Sequence, residues 1–163
     1  RYFNVAGAYH TGEIGEDHDP ETHLIPLVLS VPLGKREYIS IFGSDYDTPD
    51  GTCVRDYLHI EDLIDAHILS FKRLRDGFES DILNLGSGSG FSVKEIIEVA
   101  RKVTNHPIKA KIEGRRSGDP DKLVASSDKA FEVLGWERKY KSIEDIITSA
   151  WKFHKKNPNG FIK

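Results

Sequence analysis

The sequence has no methionine and a single cysteine. One thiol cannot form an internal disulfide, so Cys53, between Thr52 and Val54, reads as a small buried apolar residue in a protein of a reducing compartment. Cytoplasm is the expected location. No apolar run approaches the length of about 18 residues that a membrane span needs, and no charged-then-apolar leader opens the chain. The opening "RYFNVAG" is strand-like, with neither cap nor turn before it, and is expected to belong to the carboxyl-terminal part of something longer. A charge excess of one sign is lacking too. With 23 Lys and Arg against 26 Asp and Glu, the surface offers no basic field for a phosphate backbone. Neither nucleic acid nor membrane is an expected partner.

Several catalytic signatures are also missing. The seven histidines include no H-E-x-x-H and no Cys/His cluster, so no metal is expected. His59 reads as a structural residue at a strand's end, and His10, His18, His23, His106 and His154 as solvent-exposed. There is no G-x-S-x-G, and Cys53 has no cue for activation. None of the six tyrosines is followed by a lysine four residues on, the helical spacing of an oxidoreductase pair.

What is present is an ordinary globular composition, 38% apolar and 30% charged, sized for one domain. "SVKEIIEVARKV" predicts a helix with a Ser92/Glu95 capping box and Val93, Ile96, Ile97, Ala100 and Val103 on one face. "SIEDIITSAWKFHKK" repeats the device with Ser142 and Asp145, placing Ile143, Ile146, Ile147, Ala150 and Trp151 inward. "SDKAFEVLGW" stops at Gly135, with Trp136 folding back on the last turn, and "EDLIDAHILSFKRL" runs from Glu61 and Asp62 to Lys72 and Arg73 as a helix dipole favours. Strands are expected in "YFNVAG", "YISIFG", "CVRDYLHI", "DILNLG" and "IKAKIEG". Their alternation with helices predicts an α/β fold with parallel pairing. "FGSDYDTPDGT" is expected to form a hairpin or long loop.

Two stretches raise chemistry. "NLGSGSGFSVKE" has the glycines of a dinucleotide loop, but Phe91 stands where the third glycine should allow close helix packing, and the acidic residue about 20 positions on is missing. A plain strand-to-helix turn is the simpler reading. In "GTCVRDYLHIEDL", Arg55 and Tyr57 share one strand face while Asp56 takes the other. Arg116 lies in the loop "EGRRSGDPDKL", with Asp119 three residues beyond. Two arginines can grip a diphosphate through forked hydrogen bonds; the plainer alternative pairs Arg55 internally with a carboxylate and leaves Arg116 solvated.

In order, "RYFNVAGA", "IGEDHDPETHLIP", "IFGSDYDTPDGTCVRDYLHIEDL", "LNLGSGSGFSVKEII", "RRSGDPDKLVASSDKA", "LGW" and "NPNG" resemble the UDP-glucose 4-epimerase family of extended short-chain dehydrogenases/reductases. The resemblance spans nearly the whole chain but only the family's carboxyl-terminal half. It implies late strands and helices of a Rossmann-type NAD domain, from residues 1–8 and about 55–105, together with a small α/β substrate domain. The NAD fingerprint and the Tyr-x-x-x-Lys pair are expected upstream, so no catalytic residue is expected in the chain. The family's reaction interconverts UDP-glucose and UDP-galactose through a 4-keto sugar, in a homodimeric enzyme.

Residue by residue, the resemblance implies diphosphate contacts at Asn4, Arg55 and Arg116, a ribose contact at Asp119, backbone partners for uracil at Ser40 and Phe42, and a backbone donor to phosphate at Leu24. Tyr2 falls at the nicotinamide end and Phe3 in the sugar pocket. Three positions depart from common members. His23 stands where some have asparagine, and Ser117 replaces a frequent proline. Leu123 takes the place, near the sugar's C2 group, of a tyrosine that excludes N-acetylated sugars, so UDP-N-acetylhexosamines are conceivable further substrates. A related nucleotide-sugar decarboxylase or dehydratase and a non-catalytic UDP-sugar-binding module are the alternatives.

Overall fold

The computed structural model describes residues 1–161. Strand β1 (Asn4–Ala6) lies parallel to β4 (Tyr57–His59), with Asn4 opposite Tyr57 and Ala6 opposite His59. Parallel neighbours need a long crossover. Here it contains helix α1 (Leu24–Leu29), strand β2 (Ile39–Phe42) and strand β3 (Val54–Arg55). β2 pairs in parallel with β6 (Ala110–Glu113). β3 is the middle of a third sheet, antiparallel to β5 (Phe91–Ser92) and parallel to β7 (Lys122–Leu123). Helices α2 (Ile60–Arg75), α3 (Val93–Thr104), α4 (Asp128–Leu134) and α5 (Ile143–Lys156) complete the α/β class that the sequence predicts. No described helix is long and apolar enough to cross a membrane.

Most helix ends follow the local chemistry. Ser92 Oγ accepts from the Glu95 amide at 3.1 Å while the Glu95 carboxylate accepts from the Ser92 amide at 2.6 Å, which closes the capping box of α3. Ser142 Oγ takes the Asp145 amide at the start of α5. α4 stops at Gly135, whose φ of 63° suits a residue without Cβ, and Trp136 then packs down with its Nε1 donating to the Asp62 carbonyl at 2.9 Å. α2 carries Glu61 and Asp62 in its first turn and Lys72 and Arg73 in its last, as expected, and its cap is His59, whose Nδ1 accepts from the Glu61 amide. α1 is absent from the sequence reading. Its six residues are too few for periodicity to register, and Pro26 sits in its first turn, where amides have no intrahelical partner to lose.

One expected strand does not form. "DILNLG" makes a single pair of ladder bonds, the Arg1 amino group to Leu83 O at 2.7 Å and the Leu85 amide to Arg1 O at 2.8 Å. That is pairing with one residue, too short a run for a strand. The segment "FGSDYDTPDGT" is a loop rather than a hairpin, because β2 and β3 belong to different sheets.

Two apolar clusters hold the elements. In the larger, Ile96, Ile97 and Ala100 of α3 and Ile146, Ile147 and Ala150 of α5 close with α1 over Ile39 and Ile41 of β2. In the smaller, Leu58, Leu63, Ala66, Ala130 and Trp136 join α2 to α4. Between them runs a buried polar seam. Asp56 is 2% exposed, and its carboxylate accepts from the Ser87 amide at 2.7 Å and the Ala125 amide at 2.9 Å. Asp62 does the same for the amides of Lys139 and Tyr140.

His59, fully buried, is the structural residue expected. Ser149 Oγ donates to the Ile146 carbonyl and so receives the His59 Nε2 hydrogen at 2.9 Å, which leaves Nδ1 free to accept the Glu61 amide. Burial pushes the His59 pKa down, against the pull of Glu61 and Asp145. A proton on Nδ1 would also break the cap. With the folded pKa below the unfolded value of about 6.5, the unfolded chain binds more protons in the window just beneath it, so stability falls as pH drops through that window, by at most about 1.4 kcal/mol per pH unit. Urea unfolding at pH 8 and pH 5.5 should show a smaller difference for His59→Gln than for the wild type.

The exposure expected of the other histidines holds for His10, His18, His23 and His106 and fails for His154. That ring is half-buried on α5, and burial lowers its pKa.

Candidate functional site

Arg55 closes β3, flanked in register by Phe91 on one side and Leu123 on the other. Its Nη2 donates to Asp119 Oδ1 at 2.5 Å and its Nη1 to the Val54 carbonyl at 2.8 Å. The internal ion pair offered by the plainer sequence reading therefore exists. Both of its members nevertheless line a cleft of about 310 Å³. Arg116 reaches the same cleft from its loop, with its guanidinium 3.9 Å above the Phe42 ring, an attraction between cation and ring quadrupole. Arg36 adds a third guanidinium, and Asp119 is the one carboxylate among the lining residues. The cleft favours an anion.

Of the eleven residues that the resemblance nominates, eight line this cleft: Asn4, His23, Leu24, Ser40, Phe42, Arg55, Arg116 and Asp119. The ladder between β2 and β6 explains Ser40 and Phe42. The Ile39 amide bonds Lys109 O and the Gly43 amide bonds Glu113 O, so odd residues spend their peptide groups on β6. Strand alternation turns those of Ser40 and Phe42 to the open edge.

Tyr2 and Phe3 line a second, larger cavity of about 810 Å³, walled largely by apolar groups such as Ile14, Ile60 and Ile64. Asn4 and His23 line both spaces and mark their junction. Asn4 is oriented there by its Nδ2, which donates to the Asp56 carbonyl at 2.9 Å. Leu123 lines neither cavity.

Cys53 and Tyr57 form part of the smaller cleft's wall. Burial raises the Cys53 pKa despite the nearby Arg55, and burial likewise raises that of Tyr57. Both stay neutral and neither is an activated nucleophile. Sequence reading passed over Arg36, because a basic pair before a strand looks like any solvated surface.

The glycine loop is settled by its own hydrogen bonds. The Gly86 amide donates to Ser127 Oγ, the Ser87 amide to Asp56, and the amides of Ser89 and Gly90 to Ser87 Oγ. Amides already engaged with protein oxygens cannot cradle a phosphate. Gly86 is required by space, since a Cβ there would stand 2.3 Å from Asp56 Oδ2. The plain-turn reading is the right one.

A profile of the NAD dependent epimerase/dehydratase family matches residues 1–86. The chain is 58% identical over 161 residues to a UDP-glucose 4-epimerase of Halalkalibacterium halodurans, covering 99% of the chain and 48% of that protein. It superposes on a crystal structure of a UDP-glucose 4-epimerase with a TM-score of 0.98 at 62% identity, covering 100% of the chain and 50% of the other. The UDP-glucose 4-epimerase of Bifidobacterium longum, solved in complex with NAD+ and UDP, gives a TM-score of 0.89 at 40% identity, over 99% of the chain and 48% of that structure. The chain thus spans about half the length of the relatives it matches. Sequence and fold together place it in the NAD dependent epimerase/dehydratase family.

Proposed function

We propose that this chain supplies the UDP-sugar-holding part of an enzyme that interconverts UDP-glucose and UDP-galactose with NAD. The observation that carries the reading is the meeting of Arg55 and Arg116, distant in sequence, at one cleft that adjoins a larger apolar cavity. The names borne by the relatives support it. Arg55, Arg116 and Asn4 hold the diphosphate, the Leu24 amide assists them, and Asp119 meets the ribose. Ser40 and Phe42 offer their free peptide groups to uracil, which presents donors and acceptors along one edge. His23 stands at the junction where the sugar begins, and Phe3 and Tyr2 face the hexose and nicotinamide ends.

Anchoring at UDP leaves the hexose unclamped. Binding energy remote from the reacting carbon holds the substrate while a 4-keto sugar presents either face. NAD supplies hydride exchange at C4 of the hexose. The glycine loop's engaged amides do not fit that cofactor, so its cradle is assigned to the amino-terminal half that the relatives possess, along with the Tyr-x-x-x-Lys pair. In this reading the β1–β4 pair and α2, within residues 1–8 and about 55–105, extend the NAD domain's sheet and helices, and the intact enzyme is a homodimer.

Joining that half to this chain and following UDP-glucose to UDP-galactose by proton NMR tests the reading. Epimerisation supports it. UDP binding without turnover favours a non-catalytic module, loss of water from UDP-glucose favours a related dehydratase, and loss of carbon dioxide from UDP-glucuronate, offered in parallel, favours a related decarboxylase. The further substrates suggested by leucine at position 123 draw no support from the cavities, since that side chain lines neither of them.

A further inference from the structure

In the eight residues that lead into α1, the chain gathers four side chains that a search for metal-binding spacing passes over. Glu16, His18, Glu21 and His23, in the pattern E-x-H-x-x-E-x-H, bring one donor atom each to within 4.8 Å of one another. We propose that these four residues bind a divalent transition-metal ion of the zinc type.

The separations suit the ion. Bonds of about 2.0 to 2.2 Å in a tetrahedron put neighbouring donors about 3.3 to 3.6 Å apart. Here His18 Nδ1 lies 3.1 Å from Glu16 Oε1 and 3.7 Å from Glu21 Oε2. His23 Nδ1 lies 3.0 Å from Glu16 Oε1 and 2.9 Å from Glu21 Oε1. Hydrogen bonding alone cannot satisfy all four contacts, because two ring nitrogens carry at most one hydrogen each toward them. A single dication serves all four at once.

The charges point the same way. Glu16 and Glu21 bring carboxylate oxygens within 4.8 Å of each other, and both side chains are partly buried. Two carboxylates that disfavour each other's charge are relieved by a cation between them. Glu21 is already aimed, because its Oε1 accepts the amides of Thr22 and His23 at 2.7 Å each. Two imidazoles with two carboxylates select zinc-like ions over magnesium or calcium, which prefer oxygen alone. Glu16, His18 and His23 also line the larger cavity, so the ion would brace its wall. The site shares His23 with the proposed UDP-sugar cleft, but its other three ligands lie outside that cleft.

Isothermal titration of the protein with zinc chloride at pH 7.5, paired with its thermal midpoint, tests the site. Expected are one equivalent bound and a midpoint that rises with zinc, as for any ligand of the folded state. Magnesium chloride should give no saturable heat. His18→Ala and Glu21→Gln should each weaken binding at least tenfold, with His106→Ala as an unaffected control. No saturable zinc heat, or wild-type affinity in both variants, overturns the proposal. Should a variant fail to fold, zinc-edge X-ray absorption of the wild type decides, two imidazoles in the shell supporting the site and any other number refuting it.

Discussion

Asp56→Ala is expected to destabilise the protein by about 3 to 5 kcal/mol. The substitution leaves the amides of Ser87 and Ala125 without their acceptor, and each buried donor so stranded costs about 1 to 3 kcal/mol. The effect is large because Asp56 sits where three segments meet: the β3–β4 junction, the glycine loop and the residues ahead of α4. Asp56→Asn keeps one acceptor oxygen and should lose about half as much. Gly86→Ala should resemble Asp56→Ala, since its methyl group would drive the carboxylate from both amides. Urea unfolding with a constant m-value measures all three. A loss under about 1 kcal/mol for Asp56→Ala would remove the aspartate from its assigned part in the core.

Arg55→Ala is expected to weaken UDP binding about 10- to 100-fold. One charge-assisted forked contact contributes about 1.5 to 3 kcal/mol, and every 1.4 kcal/mol is a factor of about ten in the dissociation constant. Arg55→Lys should recover little, because an ammonium keeps the charge and loses the planar fork. Calorimetric titration with UDP, on variants with native circular dichroism, gives the constants. An unchanged constant for Arg55→Ala refutes the diphosphate role. Arg116→Ala supplies the comparison, since its guanidinium reaches the same cleft without an aspartate partner at bonding distance.

Local chemistry made much of the fold legible. α3 and α5 carry Ser caps whose partners stand three residues on, and both caps form. The failures come where tertiary contact outweighs pattern. "DILNLG" has a strand's composition, yet its ladder meets a single residue. β5 and β7 are two residues each and exist only because β3 lies between them. The acidic first turn of α2 is legible, but its cap is an imidazole made available by Ser149, ninety residues away. At the candidate site, the motif residues could be named from sequence, but whether Arg55 faced a carboxylate or a cavity could not. It does both. Arg36 and the Glu16–His23 cluster had no local signal, because what matters in them is the folding of a loop onto itself.

The Arg55–Asp119 pair changes what a ligand encounters. An unattached arginine surrenders roughly 1.5 to 2 kcal/mol of rotamer entropy when it is immobilised. Asp119 already holds this one, so in the proposed diphosphate role an incoming phosphate would meet a pre-set fork, without the ordering step that a waving side chain would impose.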